Sequence, residues 1–370
     1  MALRGRLRAC IFGVGEQMRT GCENRNFAIG PRKIGNGHPV FVVVDVAQAH
    51  DGSLGTAHAF IDVIAEAGAD AVKFQTHIAH AESTAAEPFR VQFSQQDRDR
   101  YEYWRRMEFT PEQWRGLAEH ARESGLEFLS SPFSIEAVDL LIDIGIRAWK
   151  VGSGEITNTV LLERIVKSEK PILLSSGMSS WRELDSAVNM VIGAGRPCMV
   201  YQCTTRYPCP PELVGLGLIG AMRERYHLPV GLSDHSGMSC FGIAAAALGA
   251  ASVEVHITMS PYCFGPDVPA SLTPAGLKRM VKGIRSVESS LSHSPDKDRF
   301  ADSSEETRKM FGRSVVTRVP LEKGELIESH HLTVKKPARG LPPTAMNGLV
   351  GRRINRDLPA DHFIMEDDLE

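Results

Sequence analysis

No run of about 20 apolar residues, the length a membrane-spanning helix needs, occurs in this 370-residue chain. Nor is there a lysine- or arginine-rich stripe: 42 basic residues face 45 acidic ones, and the formal net charge is −3. That balance argues against a nucleic-acid or membrane-surface protein. The seven cysteines (Cys10, Cys22, Cys198, Cys203, Cys209, Cys240, Cys263) are odd in number and lack the paired Cys-x-x-Cys spacing of a zinc site, so reduced thiols in a cytoplasmic protein are the expectation. Residues 1–27 carry arginines, but the apolar stretch ACIFGVG is too short for a signal peptide and has no convincing cleavage site. Its FGVG lacks the flanking strand and helix of a phosphate loop. We read this stretch as a loosely ordered extension.

What the chain does have is the composition of a soluble globular enzyme, 42% hydrophobic and 24% charged, with length for one large domain and one small one. From Phe41 onward an apolar strand alternates with an amphipathic helix eight times. The strands are expected at 41–46, 70–76, 126–131, 147–153, 171–176, 198–204, 229–235 and 251–258. In the last helix Leu277, Met280, Val281, Ile284, Val287 and Leu291 form one stripe, and Thr273-Pro274 marks its start. Eight such units predict a (β/α)8 TIM barrel over residues 37–291, after an extension over 1–36. One connection, 77–109, is long, polar and aromatic, the character of a lid or binding loop. The polar stretch 292–310 reads as a linker, and 311–370 as a small domain of short apolar pieces, too small to bury much core unless it docks against a barrel.

Barrel enzymes carry their chemistry at the carboxyl ends of the strands. His235 and His256 close the seventh and eighth strands, where two imidazoles can share a divalent metal that keeps open positions. Two hydrogen-bonded core histidines are the plainer alternative. Lys73 and Lys150 stand in otherwise apolar strands, and a buried unpaired ammonium costs several kcal/mol. A bound phosphate and carboxylate would offset that cost, with Ser131, Ser153, Ser175, Thr205 and Ser233 around them. A resident acid such as Asp45, Glu155 or Glu254 is the other possible partner.

The strings AGADAVKFQTH, FLSSPFS, KVGSGE, ILLSSGM, QCTTRYP, GLSDHSG, EVHIT and FGPDVPAS, in this order, resemble the sialic acid synthases, which join phosphoenolpyruvate to an N-acetylated aldose. The resemblance runs from about Gly37 to the carboxyl end, and its last 60 residues resemble the family's antifreeze-like (SAF) domain, which is mostly β. It implies that His235 and His256 hold a divalent metal, with manganese expected and magnesium or cobalt as alternatives. Lys73, Ser131, Lys150, Ser153, Ser175, Thr205 and Ser233 would cradle phosphoenolpyruvate. Gln75, Glu155, Tyr207 and Asp267 would hold the sugar, with Asp45 as the acid near the metal-bound water. A domain-swapped homodimer would bring Lys336 of the SAF domain to that sugar.

Some positions depart from the family pattern. The usual Glu-Ala-Gly-x-Asn-His is here Asp45-Val46-Ala47-Gln48-Ala49-His50, Thr205-Arg206 stand where an asparagine is common, and Lys336 replaces an arginine. Two other readings stay open: a metal-free Schiff-base aldolase using Lys150 or Lys73, and a non-catalytic carbohydrate- or ice-binding relative.

Overall fold

A computed structural model of the chain describes residues 26–370, so Cys10, Cys22 and the FGVG stretch lie outside the described residues. The chain divides into two units, 1–292 and 293–370.

The first unit opens with a hairpin of β1 (Phe27–Ile29) and β2 (Arg32–Ile34). Eight parallel strands follow: β3 (Phe41–Ala47), β4 (Ala71–Thr76), β5 (Glu127–Pro132), β6 (Trp149–Val151), β7 (Ile172–Ser175), β8 (Cys198–Cys203), β9 (Val230–Asp234) and β10 (Ser252–Ile257). They pair in sequence order, and β10 pairs with both β9 and β3, so the sheet closes into a barrel. All eight expected strands are present. A two-residue strand, β11 (Ser271–Leu272), adds to β10. Among the described residues, no helix is long and apolar enough to cross a membrane.

Successive side chains of a strand point to opposite faces. One set, including Val42, Val44, Val72, Phe74, Phe128, Trp149 and Val200, packs outward against the helices. The other set starts at one end with Phe41, Val43, Ala71, Leu129, Leu173, Met199 and Tyr201, joined by Ile29 and Ile34 of the hairpin. The hairpin therefore seals the floor of the barrel, and Ile29 and Ile34, expected in an extension outside it, are part of its core. Gly231 makes room for Tyr201 there, since a Cβ would meet the tyrosine ring at 2.6 Å and the Ser252 carbonyl at 2.8 Å.

The last helix, Pro274–Ser292, buries Leu277, Met280, Val281 and Ile284, and Thr273 Oγ1 accepts from Gly276 N at 3.3 Å. Its expected stripe ends early, because Leu291 is exposed. The connection 77–109 holds short helices Ala79–Glu82 and Arg100–Met107 and a cluster of its own, Tyr103, Trp104 and Met107 with Phe89 and Phe93.

The second unit begins with helices Lys297–Ser303 and Glu305–Phe311 where a linker is expected. Phe300, Met310 and Phe311 are exposed on them, so they bury no stripe that a periodicity search would find. An antiparallel pair, β12 (Ser314–Thr317) and β13 (Leu332–Lys335), then encloses a core of Val315, Leu321, Ile327, Leu332, Ile354, Leu358 and Ile364.

Candidate active site

Two residues further along the inward faces, the apolar floor gives way to charge. Register brings Asp45 beside both Lys73 and His256, Glu254 beside Ser233, and Gln75 beside Ser131. The ends of the strands open into a cavity of about 270 Å³. It is lined by Asp45, Lys73, Gln75, Ser131, Lys150, Ser153, Ser175, Thr205, Tyr207, Ser233, His235, His256 and Asp267, all of them expected, and by Phe89, Arg90, Phe93, Tyr103 and Trp104 of the long connection.

Neither lysine lacks a counter-charge. Lys73 Nζ lies 2.6 Å from Asp45 Oδ2 and 3.8 Å from Glu254 Oε1. Lys150 Nζ lies 3.0 Å from Glu254 Oε1 and donates to Ser175 Oγ at 2.6 Å. Of the two kinds of partner the sequence left open for these ammonium groups, the resident acids Asp45 and Glu254 are in place. Burial alone would raise the Asp45 carboxyl, but Lys73, His256 and Lys150 outweigh it and hold it at about 2. Glu254 is likewise lowered, burial being outweighed by Lys150 and Lys73. Lys73 moves up, because Asp45 and Glu254 outweigh its burial. All three are charged at neutral pH.

Unfilled hydrogen-bonding capacity remains where a substrate would sit. Thr205 Oγ1 and Glu254 Oε2 are buried with no partner, which is uncommon without a ligand or water. Gly177 backs the Thr205 hydroxyl, and a Cβ there would stand 2.3 Å from it and 2.7 Å from Ser153 Oγ.

The two histidine rings have centroids 5.2 Å apart. Two imidazoles held at about 2.1 Å from one tetrahedral or octahedral ion have centres roughly 5 Å apart, so the spacing fits a shared metal. His235 Nδ1 faces the Thr204 carbonyl at 2.9 Å, which places the proton there and leaves the Nε2 lone pair toward the Tyr207 hydroxyl, 3.2 Å away. That is the tautomer a metal ligand needs. Burial lowers His256 and favours its neutral ring. For His235 burial is outweighed by Cys203 and the Thr204 carbonyl, and the shift is upward. His256 Nδ1 lies 3.7 Å from Asp45 Oδ2.

Three groups at the mouth were not among the expected site residues. Glu254 is two positions before His256 on the same strand face, a spacing that could have disclosed it. Gln48 donates to Gln75 Oε1 (2.6 Å) and to His77 Nε2 (2.8 Å), so His77 carries its proton on Nδ1 and donates to Glu82 at 2.6 Å. His77 is clamped between Trp104 and Phe133, and Gln75 in turn donates to Asp45 at 3.3 Å. Arg90, from the long connection, caps Tyr207, and no periodic signal marks it.

One expected sugar-holding residue, Glu155, does not line the cavity. Glu155 lies on the tight turn Ser153–Glu155, beyond the strand, and accepts from Asn158 Nδ2 at 2.7 Å. Lys336 belongs to the second unit, where it is exposed with Nζ 5.3 Å from the Phe311 ring centre. That unit also holds a group of metal-capable donors that sequence reasoning missed, Glu328, His330 and His331, within 4.8 Å of one another. The reciprocal capping of the turn Ser329–His331 by Glu328 and His331 accounts for it.

The pattern that defines the NeuB family matches residues 60–295. The chain belongs to the NeuB family. The SAF domain pattern matches residues 312–370, so this NeuB-family chain carries both parts. It is 32% identical to the N,N'-diacetyllegionaminic acid synthase of Campylobacter jejuni over 88% of this chain and 98% of that one. With the human N-acetylneuraminate-9-phosphate synthase it shares 33% identity over 91% of this chain and 94% of the relative. Among solved structures, the spore coat polysaccharide biosynthesis protein SpsE of Bacillus subtilis superposes with a TM-score of 0.63 at 30% identity, covering 93% of this chain and 99% of that one.

Proposed function

We propose that this NeuB-family chain condenses phosphoenolpyruvate with an N-acylated amino-sugar aldehyde, in a metal-dependent reaction that yields a sialic-acid-like 2-keto-3-deoxy sugar acid and phosphate. One observation carries the reading: a metal-ready histidine pair and a doubly paired set of lysines line one cavity, beside a buried threonine hydroxyl with no partner. The names of the two synthases give sugar acids as products, N,N'-diacetyllegionaminic acid and N-acetylneuraminate 9-phosphate, and only the second carries a phosphate. Identity to the two is similar, 32% and 33%.

His235 and His256 would hold the divalent ion, manganese being the first candidate and magnesium or cobalt the others; when bound it supplies Lewis acidity to the acceptor carbonyl. The chain does the rest by position. Lys73 and Lys150, with Ser131, Ser153, Ser175, Thr205 and Ser233, would hold the phosphate and carboxylate of phosphoenolpyruvate so that its methylene carbon meets the aldehyde carbon at reacting distance. The new C–C bond leaves a cationic carbon at C2, to which water adds. Asp45, ionised and fixed by Lys73, Gln75 and the Ala47 N–H (3.0 Å), takes the proton of that water. Phosphate then departs by C–O cleavage. Gln75, Tyr207 and Asp267 face the acceptor side of the cavity.

The Schiff-base alternative needs a neutral amine, and the Lys73 ammonium is held charged by Asp45 and Glu254. A non-catalytic binder would have no use for the charged interior. Phosphate release from phosphoenolpyruvate over a panel of aldoses, with manganese and after chelation, tests the proposal. The expected result is metal-dependent release with at least one N-acylated aldose; silence across the panel in the presence of metal overturns it. The homodimer and cytoplasmic location that the resemblance and composition lead us to expect belong to this proposal as well, and a solution mass of one chain only would contradict the former.

A further inference from the structure

The outer rim of the cavity has a closed charge account. Deeper in, Lys73 and Lys150 balance Asp45 and Glu254. At the rim two cations line the cavity, Arg90 and Arg100, and each has a carboxylate: Arg90 Nη2 donates to Asp267 Oδ1 at 2.8 Å, and Arg100 Nε lies 3.2 Å from Glu87. Arg206, exposed on a neighbouring loop, does not line the cavity.

Arg90 does more than neutralise Asp267. Its guanidinium carbon sits 4.2 Å over the Tyr207 ring, and that ring stacks on His235 with centroids 4.2 Å apart. A guanidinium, a phenol and an imidazole thus form three layers that run from the long connection to His235. A second contact joins the long connection to the loop of Asp267, Phe93 against Phe264 with ring centroids 5.7 Å apart. Beside Arg90, the apolar side chains Phe89, Val91 and Phe93 also line the cavity.

We propose that Arg90 is the specificity-determining residue of the acceptor site: its clasp on Tyr207 and Asp267 closes the mouth over an uncharged N-acylated aldose and rejects a phosphorylated one. This rests on the function proposed above. The acyl group meets the apolar segment. A phosphate at the rim finds the guanidinium already engaged and the Asp267 carboxylate beside it, a juxtaposition of like charges that disfavours it.

The test compares kcat/KM for an N-acylated mannose-type aldose and its 6-phosphate in the full chain with manganese. Wild type is expected to favour the neutral sugar by about tenfold or more. Asp267→Asn, which frees the guanidinium, should shrink that preference by about tenfold, and Arg90→Gln should raise KM for the neutral sugar by about tenfold while KM for phosphoenolpyruvate stays within about twofold. Arg90→Lys should not restore it, because a point charge cannot stack and pair at once. Faster turnover of the phosphate ester by wild type, or unchanged selectivity in both Asp267→Asn and Arg90→Gln, overturns the proposal. Hydrogen exchange reads the clasp without any turnover: residues 84–98 should exchange faster in Arg90→Gln, and equal protection removes the clasp. Silence with every aldose would instead sink the proposed function, and the selectivity claim with it.

Discussion

Two buried carboxylates, one in each unit, show how differently the same group can be used. Asp368 in the second unit is fully buried and fully occupied: Oδ1 accepts from Arg356 Nε at 2.8 Å, and Oδ2 faces His362 Nε2 and the Met365 N–H, both at 2.9 Å. Glu254 in the barrel is 4% exposed and half occupied, with Oε1 shared between two lysines and a serine while Oε2 has no partner. A saturated carboxylate has nothing left to offer a ligand and contributes to folding. An unsaturated one beside a cavity carries a desolvation cost that is recovered only when something binds.

The largest expected effect lies at the unsaturated site. His235→Ala should lower phosphate release by about 10³-fold or more, since metal polarisation is worth several kcal/mol, while the Thr204 carbonyl it strands costs only about 1–3 kcal/mol of unfolding free energy. Parallel rate and denaturant measurements check this; a variant that keeps its rate would remove His235 from the chemistry.

Glu254→Gln comes next. It leaves Lys150 without its carboxylate, so the barrel should lose about 3 kcal/mol. Added phosphoenolpyruvate should then raise the melting temperature more in the variant than in wild type, because the ligand replaces the lost negative charge. Equal thermal shifts in the two proteins would mean that the substrate does not approach these lysines.

Asp368→Ala should destabilise the second unit by about 2 kcal/mol through the donors it strands, and no substrate should restore it. Hydrogen exchange over residues 314–369 reads the loss. The pH dependence has a definite sign. Burial would raise the Asp368 carboxyl, but the Met365 N–H, Arg356 and His362 outweigh it and lower its pKa. Its contribution is therefore complete above the pKa of the unfolded carboxyl and disappears as the pH falls through the lower, folded value. In Asp368→Ala that part of the acid sensitivity should vanish; an unaltered acid limb would show that Asp368 stabilises by shape alone.

The same contrast explains what could be read from the residues alone. Strand alternation has a period of two, so once β4 is recognised, Lys73 and Gln75 fall on one face, as do Ser233 and His235 on β9 and its continuation. That logic reaches the end of each strand and stops there. Glu155 lies two residues past Ser153, yet the chain has already entered a tight turn, and the carboxylate points to Asn158 instead of the cavity. Arg90 lies in a connection whose conformation is set by tertiary contacts, with Tyr207 and Asp267 far away in sequence, so no local pattern could locate it. The partners of Lys73 and Lys150 were legible as alternatives only, since pairing across a barrel depends on register between strands that are 104 residues apart in the case of Lys150 and Glu254.

The smallest effect concerns a departure from the family pattern. Ala47 occupies the position where the usual motif has glycine, and its φ is 47°, in the left-handed region. The register between β3 and β4 shifts there, between Asp45 and Ala47, and the Ala47 N–H is donated to Asp45 Oδ1, so this kink aims the carboxylate. For alanine the conformation costs about 1–2 kcal/mol. Restoring glycine relieves that cost, but gives back roughly 0.5–1 kcal/mol in unfolded-chain entropy and up to about 0.8 kcal/mol for the buried methyl group. Ala47→Gly should therefore leave stability within about 0.5 kcal/mol of wild type and the rate unchanged, whereas Ala47→Val, β-branched in the same conformation, should cost about 2 kcal/mol or more and displace Asp45. A stabilisation well above 1 kcal/mol in the glycine variant would show that the kink is strained beyond what its backbone angle implies, and that the carboxylate is held in place at the expense of the fold.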